Sequence, residues 1–161
     1  MLLRKRAWDM MRDEFATVAQ DGTLADVISA VRESMKESPE NHAIVVLGRN
    51  KKLKGIISIW SVLKAVEGTV LKDENLKLSE DTDWDKAFSR ACKICTSMDV
   101  EDHMEIDVPR MKPNDPLLMV LETFLKTKKS WAVVEEGGRV IGMLYVGDVY
   151  RELSRDMVKA F

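Results

Sequence analysis

The stretch KLKGIISIWSVLKAV (residues 52–66) decides how the chain is read, because RVIGMLYVGDVYREL (residues 139–153) repeats its grammar. Each runs from a basic turn through a short apolar strand containing a glycine, then into a segment of helical spacing. Strand-to-helix steps are common, so the pair matters only if the flanking sequence repeats too. It does. Asp9 and Asp102, Met11 and Met104, Val18 and Met111, and Leu24 and Leu117 all stand 93 residues apart. DMMRDEFATVAQDGTLADVISAV (9–31) therefore lies on DHMEIDVPRMKPNDPLLMVLETF (102–124) without a gap. The offset falls to 88 at Val45/Val133 and Val46/Val134, and to 87 at Gly55/Gly142. The losses fall in ESPEN (37–41) and in the turn before the last strand, where a duplicated fold tolerates changes of length.

Both copies predict the same elements in the same order. A short lead-in reaches a turn, QDGT or KPNDP, whose polar and Pro/Gly residues start a helix. Leu24, Val27, Ile28 and Val31 line one face of that helix, as Leu117, Val120, Leu121 and Phe124 do in the second copy. A strand (AIVVL or WAVVE), a turn (GRNKK or EGGR), a second strand (LKGIIS or VIGMLY) and a final helix follow. Neither copy can cover both faces of so small a sheet, which predicts that the two pack together about a pseudo-twofold axis. The expected divisions are a first repeat over 1–66, an acidic linker and connecting helix over 67–95, and a second repeat with a C-terminal helix over 96–161.

Composition narrows the function classes. The 161 residues are 45% hydrophobic and 32% charged, which suits a globular chain. A net charge of −2 gives no basic footprint for nucleic acid. No apolar run approaches a membrane span, and MLLRKR lacks the apolar core of a secretory signal. The two cysteines, Cys92 and Cys95, form one CxxC, too few ligands for a structural zinc site even with His42 and His103. Their setting, DKAFSRACKICTSM, has the spacing of an amphipathic helix, with Ala87, Phe88, Ala91, Ile94 and Cys95 on one face and Thr82 or Asp83 as N-cap. Core thiols and a reducing, cytoplasmic setting follow. The acidic run 73–85 and the polar start of the linker read as a solvated loop. Nothing in the sequence pairs a nucleophile with a base or cradles phosphate in a glycine loop, so an enzyme is not expected.

The doubled pattern resembles a tandem pair of CBS domains (the cystathionine-β-synthase type), known together as a Bateman module. The likeness covers roughly 5–66 and 96–155. It rests on the lead-ins Asp9-Met10-Met11 and Asp102-His103-Met104, on the turn Val18-x-x-Asp21-x-x-Leu24, and on the glycine-containing strand-to-helix step. It implies an α/β (α+β) fold of two β-α-β-β-α repeats packed through their small sheets, with a cleft for each. Such clefts take adenine nucleotides (AMP, ADP or ATP) or S-adenosylmethionine, and the modules pair into homodimers. The implied role is non-enzymatic sensing, including energy sensing, in which a ligand changes the module's shape and so regulates a partner protein.

The same resemblance points to the residues around each strand-to-helix step. A helix start offers free N–H groups to phosphate, and a carboxylate three residues past the hydroxyl accepts both hydroxyls of a ribose. A hydroxyl-x-x-carboxylate spacing is equally a capping box that needs no ligand. The first copy keeps Ser58 but has Ser61 in the carboxylate's place; the second has Tyr145 for the hydroxyl but keeps Asp148. Asp148 is therefore the preferred ribose residue, with Arg151 beyond it, as Lys64 stands beyond Ser61. Thr17 and its counterpart Arg110 occupy the position before the entry valine, Val18, and its counterpart Met111. His42 and Ala43, and Ser130 and Trp131, precede the strands; Trp131 could stack on adenine or pack in the core. The competing reading is a ligand-independent dimeric interaction module whose clefts are filled by Trp131, Tyr145 and Arg110.

Overall fold

A computed structural model of the chain describes residues 4–71, 81 and 83–161. The order of elements is α1 (Ala7–Met10), β1 (Thr17–Ala19), α2 (Leu24–Glu37), β2 (Ala43–Leu47), β3 (Leu53–Ser58), α3 (Ile59–Val66), α4 (Trp84–Thr96), β4 (Arg110–Met111), α5 (Leu117–Thr127), β5 (Trp131–Glu136), β6 (Arg139–Tyr145) and α6 (Val146–Val158). Two three-stranded sheets result, ordered β1-β2-β3 and β4-β5-β6. The two-residue β4 lies parallel to β5 and β1 lies parallel to β2, while β5 and β6 are antiparallel with Trp131 opposite Tyr145. These are the β-α-β-β-α repeats that the sequence led to expect.

Local chemistry explains the boundaries. Asp26 accepts the Thr23 N–H at 3.0 Å and closes the start of α2. The Asp83 side chain accepts the Lys86 N–H at 3.1 Å and is the N-cap of α4; the alternative, Thr82, lies outside the described residues. Gly137 and Gly138, both at positive φ, make the turn between β5 and β6. Two expectations change. The chain does not enter a loop after Val66 but continues as a π-helical turn, Glu67–Leu71. There the Thr69 hydroxyl donates back to the Val66 carbonyl at 2.8 Å, a side-chain back-bond of the kind that bends helices. The buried stripe of α4 is also narrower than its composition suggests. Ala91 and Cys95 are buried, but Phe88 and Ile94 are 57% and 43% exposed, since they flank the line through 87, 91 and 95. The acidic segment 72–80 lies outside the described residues.

The spatial units do not follow the halves of the chain. One unit, the C-terminal unit, comprises Met1–Phe15, Arg49–Leu53 and Asp107–Phe161; the other, the central unit, comprises Ala16–Gly48 and Lys54–Ile106. Each repeat thus gives its lead-in to the other repeat. In the C-terminal unit Arg12 and Met143 exchange two backbone bonds of 2.7 and 2.9 Å, and Ala7 N–H reaches the Asp115 carbonyl at 2.9 Å. The central unit obeys the same rule at equivalent positions: Glu105 and Ile56 exchange bonds of 2.7 and 2.9 Å, and Val100 N–H reaches Gly22 at 3.0 Å. Gly142 and Gly55 admit these crossings. A Cβ on Gly142 would lie 2.9 Å from the Arg12 oxygen, and one on Gly55 would lie 2.5 Å from the Glu105 oxygen.

The cores repeat as well. Ala7, Met111, Leu117, Val120, Phe124, Val134 and Leu144 are buried in one unit. Val100, Val18, Leu24, Val27, Val31, Val46 and Ile57 take the equivalent places in the other.

Candidate functional site

In the C-terminal unit the candidate site forms where β6 ends and α6 begins. Tyr145 is the N-cap of α6, in extended backbone, and Asp148 is the third residue of the helix. The Asp148 carboxylate turns back to accept the Tyr145 N–H at 3.1 Å, the capping half of the two readings its spacing allows. It is also engaged from the far end of the chain. The Arg12 guanidinium donates Nε–H to Oδ2 at 3.1 Å and Nη2–H to Oδ1 at 2.9 Å. The Arg151 Nη1 stands 3.6 Å from the same Oδ1. Oδ2 thus accepts two hydrogen bonds and Oδ1 one, with the exposed Arg151 as a second cation beside Oδ1. The Arg12 guanidinium carbon lies 4.7 Å from the centre of the Tyr145 ring, a cation–π contact that holds the fork in place.

The other expected residues of this unit are placed differently. Arg110 donates to Glu135 at 3.1 Å and stands on β4, beside a groove of about 430 Å³ under the β5–β6 turn. Neither Tyr145 nor Asp148 lines that groove, so Arg110 is not gathered with them. Trp131 is buried at the start of β5, with the Lys129 ammonium 5.7 Å from its ring centre.

The central unit builds the same corner from other residues. Ser58 ends β3 and is the N-cap of α3. Its hydroxyl is buried and faces the Ser61 N–H across the capping box, but among the described residues it makes no hydrogen bond of good geometry. The Ser61 hydroxyl takes the place of the Asp148 carboxylate but is 3.5 Å from the Ser58 N–H, at the limit of a bond. The Ile59 N–H donates to the His42 carbonyl at 3.1 Å, as Val146 N–H does to Ser130 at 2.9 Å. Ala43 is buried beside it; Thr17 is exposed on β1 opposite Val45, and Lys64 is exposed on α3. His103 Nδ1 lies 3.0 Å from the Asp99 carbonyl, in a purely local contact. Cys95 is buried with its sulfur 3.4 Å from the Thr69 hydroxyl, and both cysteines are free thiols.

Arg12 is the participant that sequence reading did not select. It lies 136 residues from Asp148, and no local motif joins them. One signal was available: under the 93-residue register Arg12 matches Glu105, so the repeat itself marks the position as one where the copies differ in charge. Among the described residues no group of three or more His, Cys, Asp or Glu could hold a metal ion, and no helix is long and apolar enough to cross a membrane.

Comparisons with known proteins agree with this architecture. No curated protein matches the chain. Among solved structures, the CBS domain of a membrane protein from Sphaerobacter thermophilus superposes with a TM-score of 0.71 at 17% identity, covering 93% of this chain and 88% of that one. A CBS domain-containing protein of unknown function from Bacillus anthracis gives 0.68 at 21% identity, covering 96% of each chain. The cytosolic domain of the Mg²⁺ channel MgtE, in complex with ATP, gives 0.66 at 17% identity, over 92% of this chain and 49% of that one. The CBS domain family model matches residues 7–68 and again 100–155, so one pattern used twice covers most of the chain. The chain belongs to the CBS-domain family and carries a tandem pair of these domains.

Proposed function

We propose that the chain is a non-enzymatic regulatory module that binds an adenine nucleotide or adenosyl compound and signals by shape change to a partner protein. Its setting in this reading is the cytoplasm, as a homodimer. The observation that carries the proposal is the Ser58 hydroxyl: buried, at the start of α3, and without a well-formed hydrogen bond among the described residues. A buried hydroxyl without a partner costs free energy, which a ligand oxygen would recover. The amides at the start of α3 add a partial positive charge suited to phosphate. Family membership and the ATP complex of a structural neighbour supply the ligand class. The preferred position thereby moves from Asp148, whose oxygens are committed, to Ser58.

The test is thermal unfolding with AMP, ADP, ATP and S-adenosylmethionine. A ligand at one hundred times its dissociation constant stabilises by about 2.7 kcal/mol. Ser58→Ala should leave the free protein as stable or up to about 1 kcal/mol more stable, while shrinking the ligand-induced shift. No shift with any of the four ligands overturns the reading.

A second reading, a ligand-independent dimeric interaction module, is favoured by the closed Asp148 corner and by exposed apolar side chains. Leu118 and Leu125 on α5 and Tyr150 and Met157 on α6 are all more than half exposed. Such a surface favours association. Light scattering at twice the chain mass, unchanged by nucleotide, would support it.

A further inference from the structure

Arg12 presents to Asp148 the pattern of donors that a ribose would present. A cis-diol offers two O–H donors to the two oxygens of a carboxylate; the Arg12 fork offers two N–H donors, at 3.1 and 2.9 Å, to the same two oxygens. The arginine's bonds are charge-assisted and its geometry is bidentate, so a neutral diol does not compete with it on equal terms. The fork is also held from two further sides. Arg12 is fixed by its paired backbone bonds to Met143, and its guanidinium covers the Tyr145 ring. Asp148 is 8% exposed; its Oδ2 also accepts the Tyr145 N–H, and the Arg151 guanidinium stands 3.6 Å from Oδ1 as a second cation. The equivalent positions in the central unit hold Glu105 and Ser61, which cannot form this pair.

We propose that Arg12 is a specificity-determining residue that occupies the Asp148 carboxylate as an internal substitute for a ligand diol, so that the chain takes one adenosyl ligand, at Ser58, rather than two. This rests on the ligand reading above. Removing the fork frees a buried carboxylate at the start of α6, and the C-terminal unit then gains a site of its own.

The experiment is calorimetric titration of the full chain with AMP and ATP, comparing wild type, Arg12→Gln, and Arg12→Gln combined with Asp148→Asn. The expected stoichiometries are one, two and one ligand per chain. Arg12→Lys keeps the charge but loses the two-point fork, and should show a second site weaker than that of Arg12→Gln. It also serves as the informative variant should Arg12→Gln fail to fold. One ligand per chain in wild type and in both Arg12 variants overturns the role of Arg12 and leaves the Ser58 reading standing. Two ligands per chain in wild type also overturn it. A wild type that binds nothing, with one ligand gained in Arg12→Gln and lost in the double variant, supports the role of Arg12 and overturns the Ser58 reading. Absence of binding throughout overturns both.

Discussion

Asp148 and Glu135 are both paired with arginine, but the pairs differ in what their loss should cost. The Arg12 and Asp148 side chains are 24% and 9% exposed, so Asp148→Ala leaves a half-buried guanidinium without its carboxylate and the Tyr145 N–H without its cap. A loss of about 2–4 kcal/mol is expected, below the full cost of a deeply buried pair because Arg12 keeps some water. Arg110→Ala removes a pair whose arginine is 51% exposed, and should cost less than about 1 kcal/mol. Urea unfolding midpoints of the two variants check the contrast, and equal losses would refute it. The residue scale is also where the sequence was hardest to read. The Asp148 spacing was visible as either ribose holder or cap, and the structure uses it as a cap and an ion-pair partner together. Arg12 was not visible, because a contact across 136 residues leaves no periodic trace.

Elements were far more legible than contacts. The helices announced themselves by apolar spacing, by the QDGT and KPNDP turns and by the cap at Asp83, because all depend only on neighbours within one turn. The three-residue β1 and the two-residue β4 are too short to show alternation, and only the family resemblance implied them. The narrow buried face of α4 was misjudged because composition cannot tell which of several apolar residues a neighbouring element will cover. The glycines of β3 and β6 stand out in the sequence as a matched pair, but what crosses them does not. Each is crossed by the lead-in of the other repeat. Gly55→Ala should therefore cost about 1–3 kcal/mol through overpacking against the Glu105 carbonyl, and Gly142→Ala a similar amount against Arg12. Gly68→Ala, with nothing within 4 Å, should be neutral or stabilising by up to about 1 kcal/mol. Differential scanning calorimetry distinguishes the three, and a mild Gly55→Ala would argue against the tight crossing.

For the molecule as a whole, the exchange of lead-ins means that a repeat in the sequence is not a folding unit in space. Residues 1–66 expressed alone lack Val100 and the Glu105 strand of the central unit, and residues 96–161 lack Ala7, Met10 and the Arg12 strand of the C-terminal unit. Each half should be largely unfolded by circular dichroism, and mixing the two should restore helical signal. Cooperative unfolding of either half alone as a monomer would contradict this. The two-copy organisation was the most legible feature of all, since the offset between copies changes only at turns, from 93 to 88 and 87, and holds through each core element. The exchange was not legible, because an offset reports likeness and not neighbourhood.

The exchange also fixes an order of events during synthesis. Ala7, Met10 and Arg12 are made well before their partners Leu117, Leu144 and Met143. At about 5–20 residues per second, that lead-in waits on the order of ten seconds before its own sheet exists. The central unit can close once Glu105 has left the ribosome, but the C-terminal unit cannot close until β6 has followed. A segment made before the central unit is thus buried after it.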